Sequence, residues 1–167
     1  MMKLRPYHPE DAEVIASWIR DEATMHRLAA NLYETFPVTP EEMNRKYDAY
    51  KLTHNSRGFV MVDETGRAAG HFVLLFRPDD PDTARLCFVI VDDSRRGQGL
   101  GGELVRLALQ NAREERKARR VTLCVFANNP VAHRCYRKAG FRDLEPVRQV
   151  EIMGRKWDCI DMEVSWS

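Results

Sequence analysis

The stretch Asp92-Asp93-Ser94-Arg95-Arg96-Gly97-Gln98-Gly99-Leu100-Gly101-Gly102-Glu103-Leu104-Val105 (DDSRRGQGLGGELV) decides how the rest of the chain is read. It joins the apolar run LCFVIV (86–91) to a segment with Leu100, Leu104, Leu107, Ala108 and Ala112 at helical spacing. The run has the pattern of a strand covered on both faces, and the segment predicts a helix continuing to about Arg116. A simple turn needs one glycine. Gly97, Gly99, Gly101 and Gly102 together predict a backbone that curls around a ligand. The first N–H groups of a helix have no intrahelical partners and carry partial positive charge. Glycines let the loop before them fold into a nest for phosphate oxygens, with Arg95 and Arg96 adding charge at its rim. A tight turn with close helix–sheet packing explains the same residues, because an isolated glycine motif is a weak signal.

Two common phosphate loops fit poorly. A P-loop ends in Gly-Lys-Ser/Thr, whereas Gly101-Gly102-Glu103 stands here. A dinucleotide fingerprint has the spacing of Gly97, Gly99 and Gly102, but it belongs after an early strand with an acid about 20 residues on. The region near residue 120 reads KARRVTLCVF and offers no acid.

Outward from the loop, VTLCVF (121–126) predicts a second covered strand, and NPVAHRCYRKAG a short helix closed by Gly140. Upstream, Lys3 to Tyr7 reads as a strand and Pro9 to Arg20 as a helix with Ala12, Ile15, Ala16 and Ile19 on one face. Residues 21–40 are less regular, with a short helix and a turn at Pro37. Thr39 as N-cap and Pro40 at the first position predict a helix to about Leu52. Phe59 to Val62 and His71 to Phe76 read as a hairpin about ETGRAAG. At the end Ile160, Met162, Val164 and Trp166 alternate with other residues, predicting a half-buried antiparallel strand with 141–153 as its mate. The fold class is therefore α/β (α+β), a mixed sheet flanked by helices in one domain over residues 1–167.

The 167 residues are 44% hydrophobic and 31% charged with a formal net charge of +1. Nothing in that balance points to nucleic acid or to a membrane surface. No apolar run approaches the ~18 residues of a span, and the polar start MMKLRPYHPEDAE is unlike a signal peptide. Cys87, Cys124, Cys135 and Cys159 are scattered singly, as expected of reduced core thiols rather than a disulfide framework or metal site. A cytoplasmic protein without metal is expected. The basic run REERKARR (113–120) reads as the solvated end of the long helix rather than an RNA-binding patch.

Two motifs together carry a family resemblance. Arg96-Gly97-Gln98-Gly99-Leu100-Gly101 is similar to the Arg/Gln-x-x-Gly-x-Gly/Ala loop of the GNAT superfamily of N-acetyltransferases. Asn129-Pro130-Val131-Ala132-His133-Arg134-Cys135-Tyr136 resembles its Asn-x-x-Ala-x-x-x-Tyr motif, with Ala139-Gly140-Phe141 as the Gly-Phe ending. The resemblance implies a mostly antiparallel sheet of about six to seven strands. It also implies acetyl-CoA as cosubstrate and direct acetyl transfer to a primary amine of a small molecule or a protein. Main-chain groups of Val89, Ile90 and Val91 would pair with the pantetheine arm. Residues 96–101, with Gly102 beside them, would hold the pyrophosphate. Asn129 and Ala132 would position the cofactor, and Tyr136 would stand near the thioester sulfur. A phenol there can protonate a leaving thiolate. A homodimer is compatible with the resemblance, as is a module that binds acyl-CoA without turnover.

The acceptor side departs from the family pattern. Many members carry a glutamate on the fourth strand, but Thr83-Ala84-Arg85-Leu86-Cys87-Phe88-Val89 contains no carboxylate. His71 on the preceding strand is the nearest substitute base by position, with a water chain to a main-chain carbonyl as the alternative. Residues 21–40 are expected to wall the acceptor cleft, with Asp21, Glu22, His26, Tyr33 and Glu34 as its polar groups.

Overall fold

The computed structural model describes residues 1–95 and 97–166. Eight strands form one sheet: β1 (Lys3–Pro6), β2 (Arg57–Val62), β3 (Ala68–Arg77), β4 (Asp80–Val91), β5 (Arg120–Phe126), β6 (Arg142–Asp143), β7 (Arg148–Ile152) and β8 (Arg155–Ser165). Their order is β1-β2-β3-β4-β5-β8-β6, with β7 also paired to β8. Every pairing is antiparallel except β4 with β5. The mixed, mostly antiparallel sheet is the expected one, with one strand more because the segment expected as a single mate of the last strand is divided into β6 and β7.

Helices α1 (Ala12–Ser17), α2 (Glu22–Ala29) and α3 (Pro40–His54) cover one face, and α4 (Leu100–Gln110) and α5 (Pro130–Lys138) the other. Alternation along β3 feeds both cores. Phe72 and Leu74 pack under α4 with Leu104 and Val105, while Val73 and Leu75 join Ile15, Met25 and Met43 under α1–α3. Leu104 and Leu74 are fully buried, each contributing about 2 kcal/mol of transfer energy. A sheet covered on both faces requires apolar residues at successive positions, which is why LCFVIV and VTLCVF lack a clean alternation.

Local chemistry sets the ends of the elements. Thr39 accepts from the N–H of Glu42 at 3.1 Å and starts α3, as its sequence predicts; Asn55, in the left-handed region, ends it two residues later than expected. The helix expected over 9–20 is shorter, a 3₁₀ turn at Pro9–Asp11 followed by α1. Asp11 receives both Arg5 guanidinium nitrogens at 2.8 Å and the N–H of His8 at 2.7 Å, which tightens that first turn. Asp21 then caps α2 by accepting from the N–H of Thr24. The basic run ends α4 in a π turn, Asn111–Glu115, with the Arg113 guanidinium 5.3 Å from the Trp166 ring.

Candidate active site

The site begins with a split in the sheet. β4 and β5 pair only at Thr83–Arg85 with Arg120–Thr122 and then diverge. The cause lies on β4. Its register with β3 steps from His71 opposite Ile90 to Val73 opposite Cys87, so β4 carries one extra residue. Phe88 sits there with φ of 55°, and such a bulge bends its strand and strengthens its twist. Beyond Arg85 the edge of β4 that would face β5 is free of it, a template for an extended ligand.

Two clefts meet at this split. The larger, about 820 Å³, runs between α4 and α5 over Val89, Ile90 and Val91. Gly99, Gly101, Gly102, Asn129, Ala132 and Tyr136 line it, so the structure brings together most of the residues expected to hold a cofactor. Gly99 caps α4 in the left-handed region at φ 67°, and a Cβ built there or at Gly102 meets nothing within 4 Å. The helix start therefore presents bare backbone N–H groups to an anion. Gly97 and Gln98 are exposed in the loop and do not line the groove, whereas Leu100 turns inward into the core. Arg96 lies outside the described residues. Arg95 does not stand at the rim of the nest: its guanidinium lies 3.2 Å from the Asp63 carboxylate.

Sequence reasoning missed several lining residues. Arg134 and Lys138 from α5 add positive charge, and Val105, Leu109 and Val131 add apolar wall. Val105, buried with Leu104, and the half-buried Leu109 stand four apart on α4 and widen its apolar stripe towards the groove. A stripe wider than the core needs was the available signal. Bare N–H groups, basic side chains and an apolar trough suit pyrophosphate, phosphate and pantetheine respectively, so the groove fits a CoA thioester.

The smaller cleft, about 360 Å³, opens through the split onto the other face of the sheet, roofed by Thr24, Arg27 and Leu28 of α2. Asn129, Ala132, Tyr136, Val89 and Ile90 line this cleft as well as the groove, and so form the wall between them. The Asn129 side chain accepts from the N–H of Ala132 at 3.4 Å and starts α5. Tyr136 follows two turns later and packs edge-on against Phe141, ring centroids 5.9 Å apart. Burial pushes its phenol well above the ordinary range, so the oxygen keeps its proton.

His71 is not brought to either cleft. It is fully buried on the α1–α3 face, with Nδ1 2.8 Å from the Phe59 carbonyl oxygen and Nε2 2.9 Å from the Tyr47 hydroxyl. Burial lowers its pKa to about 4. Nor do the polar groups expected on the acceptor wall line it. Asp21 is the α2 cap, and Tyr33 lies in the core. His26 is buried with Nδ1 2.7 Å from the Ala30 carbonyl oxygen, and Glu22 and Glu34 are outside the lining. Cys124, expected in the core, is exposed and lines the cleft because the split opens beside it. Its sulfur lies within 4.8 Å of donor atoms of Cys159 and Asp161. Arg148 donates to both Asp161 oxygens, at 2.7 and 2.8 Å, so that carboxylate is already engaged.

A split sheet with a glycine-rich helix start on one side and a half-enclosed cleft on the other defines an acyl-CoA-dependent transferase. The model of the acetyltransferase (GNAT) family matches residues 13–141, and the chain belongs to that family. Solved structures agree on the fold. A spermidine N-acetyltransferase from Vibrio cholerae, in complex with CoA and spermine, superposes with a TM-score of 0.82 at 22% identity, covering 98% of this chain and 95% of that one. A protein provisionally described as a phosphinothricin N-acetyltransferase gives 0.79 at 23% identity, over 100% and 99% of the two chains.

Proposed function

We propose that the protein transfers the acetyl group of acetyl-CoA directly to the primary amine of a small acceptor, both substrates being bound together. One observation carries this reading: Tyr136, Asn129 and Ala132 belong to the wall shared by groove and cleft. An acetyl thioester seated against the free edge of β4 would meet an amine arriving from the α2 side. The spermidine and phosphinothricin of the neighbouring proteins are small amines, which supports a small acceptor over a protein.

The roles follow from the groups present. The bare N–H groups at the start of α4 and the cations of α5 hold the phosphates. Main-chain N–H groups of β4 beyond the bulge, unpaired towards β5, align the arm and can donate to the thioester carbonyl oxygen as charge grows there. Tyr136, neutral by burial, donates its proton to the departing thiolate. No carboxylate lines the acceptor cleft among the described residues, so the amine's proton leaves through water or a main-chain carbonyl. Initial rates of thiol release over a matrix of acetyl-CoA and amine concentrations test the scheme. Intersecting double-reciprocal lines are expected. Parallel lines would require a covalent acetyl-enzyme, and tight CoA binding without release on any amine would reduce the protein to a binding module.

A further inference from the structure

The acceptor cleft is unusual in its charge. Arg27 reaches it from α2 and Arg85 from β4, and no Asp or Glu shares the lining among the described residues. Several of the chain's other arginines are neutralised on carboxylates, although not all of them are. Arg5 sits on Asp11, Arg20 on Asp93, Arg120 and Arg142 on Glu163, and Arg148 on Asp161. Arg85 instead makes one long hydrogen bond, 3.4 Å to the Thr122 hydroxyl, and Arg27 makes no ion pair among the described residues, although its field reaches the Asp21 cap, which lies outside the cleft lining. Asp161 feels the field of Arg85, but both its oxygens are taken by Arg148. Two arginines thus line one half-enclosed cleft whose lining holds no carboxylate among the described residues, the Cys124 thiol being its most acidic group.

We infer that the acceptor is an amine that also carries a carboxylate or an equivalent oxyanion, and that Arg27 and Arg85 are its specificity-determining residues. This rests on the acetyltransferase reading and names its substrate class. The placement suits such a molecule. Arg85 is the last β4 residue paired to β5, at the closed end of the split, whereas Val89 and Tyr136 stand at the wall shared with the groove. Four residues of strand, about 13 Å, separate Arg85 from Val89, room for an acceptor to lie between the arginine and the shared wall. An anionic end at the arginines directs the amine towards the thioester. Guanidinium forks bind carboxylates in a bidentate manner, giving orientation as well as affinity. A polyamine meets the opposite field: its second and third cations would lie beside unpaired arginines with no carboxylate in the lining to receive them.

The test is a panel of matched amines: leucine against leucinamide, 4-aminobutyrate against butylamine, and spermidine. Thiol release gives kcat/KM, corrected for the neutral fraction of each amine. The carboxylate member of each pair is expected to be at least tenfold better, equivalent to about 1.4 kcal/mol. Arg85→Gln and Arg27→Gln should each collapse that ratio towards one, and Arg77→Gln, at the end of β3 and outside the cleft lining, should leave it unchanged. Equal rates within the pairs, a preference for spermidine, or an undiminished ratio in Arg85→Gln would overturn the inference while leaving acetyl transfer intact. If acetyl-CoA binds but no amine is acetylated, the activity reading fails. The anion subsite is then read separately, by calorimetric titration of leucine and 4-aminobutyrate into the CoA-bound protein. Binding that is lost in Arg85→Gln sustains it, and no binding overturns it.

Discussion

The Tyr47 hydroxyl and His71 Nε2 lie 2.9 Å apart in the core beneath the sheet, with the ring of Tyr7 5.3 Å from the imidazole. With the Phe59 carbonyl on Nδ1, both ring nitrogens are engaged and the imidazole stays neutral. His71 therefore serves stability. Its folded pKa of about 4 lies below the ordinary 6.5, so its contribution is fully present above pH 6.5 and is lost as pH falls through 4. Between pH 7.5 and 4.5 the loss is on the order of 2–3 kcal/mol, measurable by urea denaturation of the wild type against His71→Leu, which lacks the titration. The acidic limb of kcat/KM should not move in the variant. A limb that vanishes in a folded His71→Leu would restore the histidine to catalysis.

Tyr136→Phe removes one oxygen and keeps the ring against Phe141. On the proposed role of the hydroxyl as proton donor to the departing thiolate, a loss of tenfold or more in kcat is expected, with little change in acetyl-CoA affinity or melting temperature. Full turnover in a folded variant would leave the phenol a packing role only.

Gly99→Val places a β-branched residue at φ 67°, adding bulk to open space at a residue that lines the groove beside the α4 N–H groups. Acetyl-CoA affinity should fall by at least tenfold in calorimetric titration, about 1.4 kcal/mol. The strain also costs roughly 1 kcal/mol of stability. Affinity unchanged in the folded variant would remove the loop from the cofactor site.

Among the four thiols Cys124 should be alkylated first. Its exposure gives access, while a hydrogen bond from Cys159 and the field of Arg85 lower its pKa. Burial raises Cys87 and Cys135, and Cys159 is raised as the donor of that bond. Mass spectrometry after brief iodoacetamide treatment at neutral pH should find the label on Cys124, and Cys124→Ser should abolish the fast phase. Cys135 reacting first would contradict this order.

The parts legible in the sequence are those that depend on near neighbours in the chain. Thr39-Pro40 starts a helix wherever it stands, and the glycines before Leu100 announce an exposed helix start. The bulge was not legible, because nothing in LCFVIV distinguishes a run with φ of 55° at Phe88 from a regular strand; the fit to β3 imposes it. His71 was misplaced for a related reason. A lone histidine in a strand does not reveal which face it occupies, and here it shares that of Val73 and Leu75. Arg27 and Arg85 are 58 positions apart and meet only once α2 is laid across β4.

Residues 3–91 supply β1 to β4 and residues 120–165 supply β5 to β8, so each half of the sheet is one unbroken length of chain. Strand pairing between the halves is confined to three residue pairs at the closed end of the split. The cofactor groove and the acceptor cleft both take walls from the two lengths, β4 from one and α5 from the other. A ligand seated there acts as a fastener across the seam, adding its binding energy to the cohesion that the common core beneath α4 already gives the two lengths. Amides flanking the seam should accordingly slow their hydrogen exchange when CoA is bound, ahead of those in the β2–β3 hairpin, where no such seam exists.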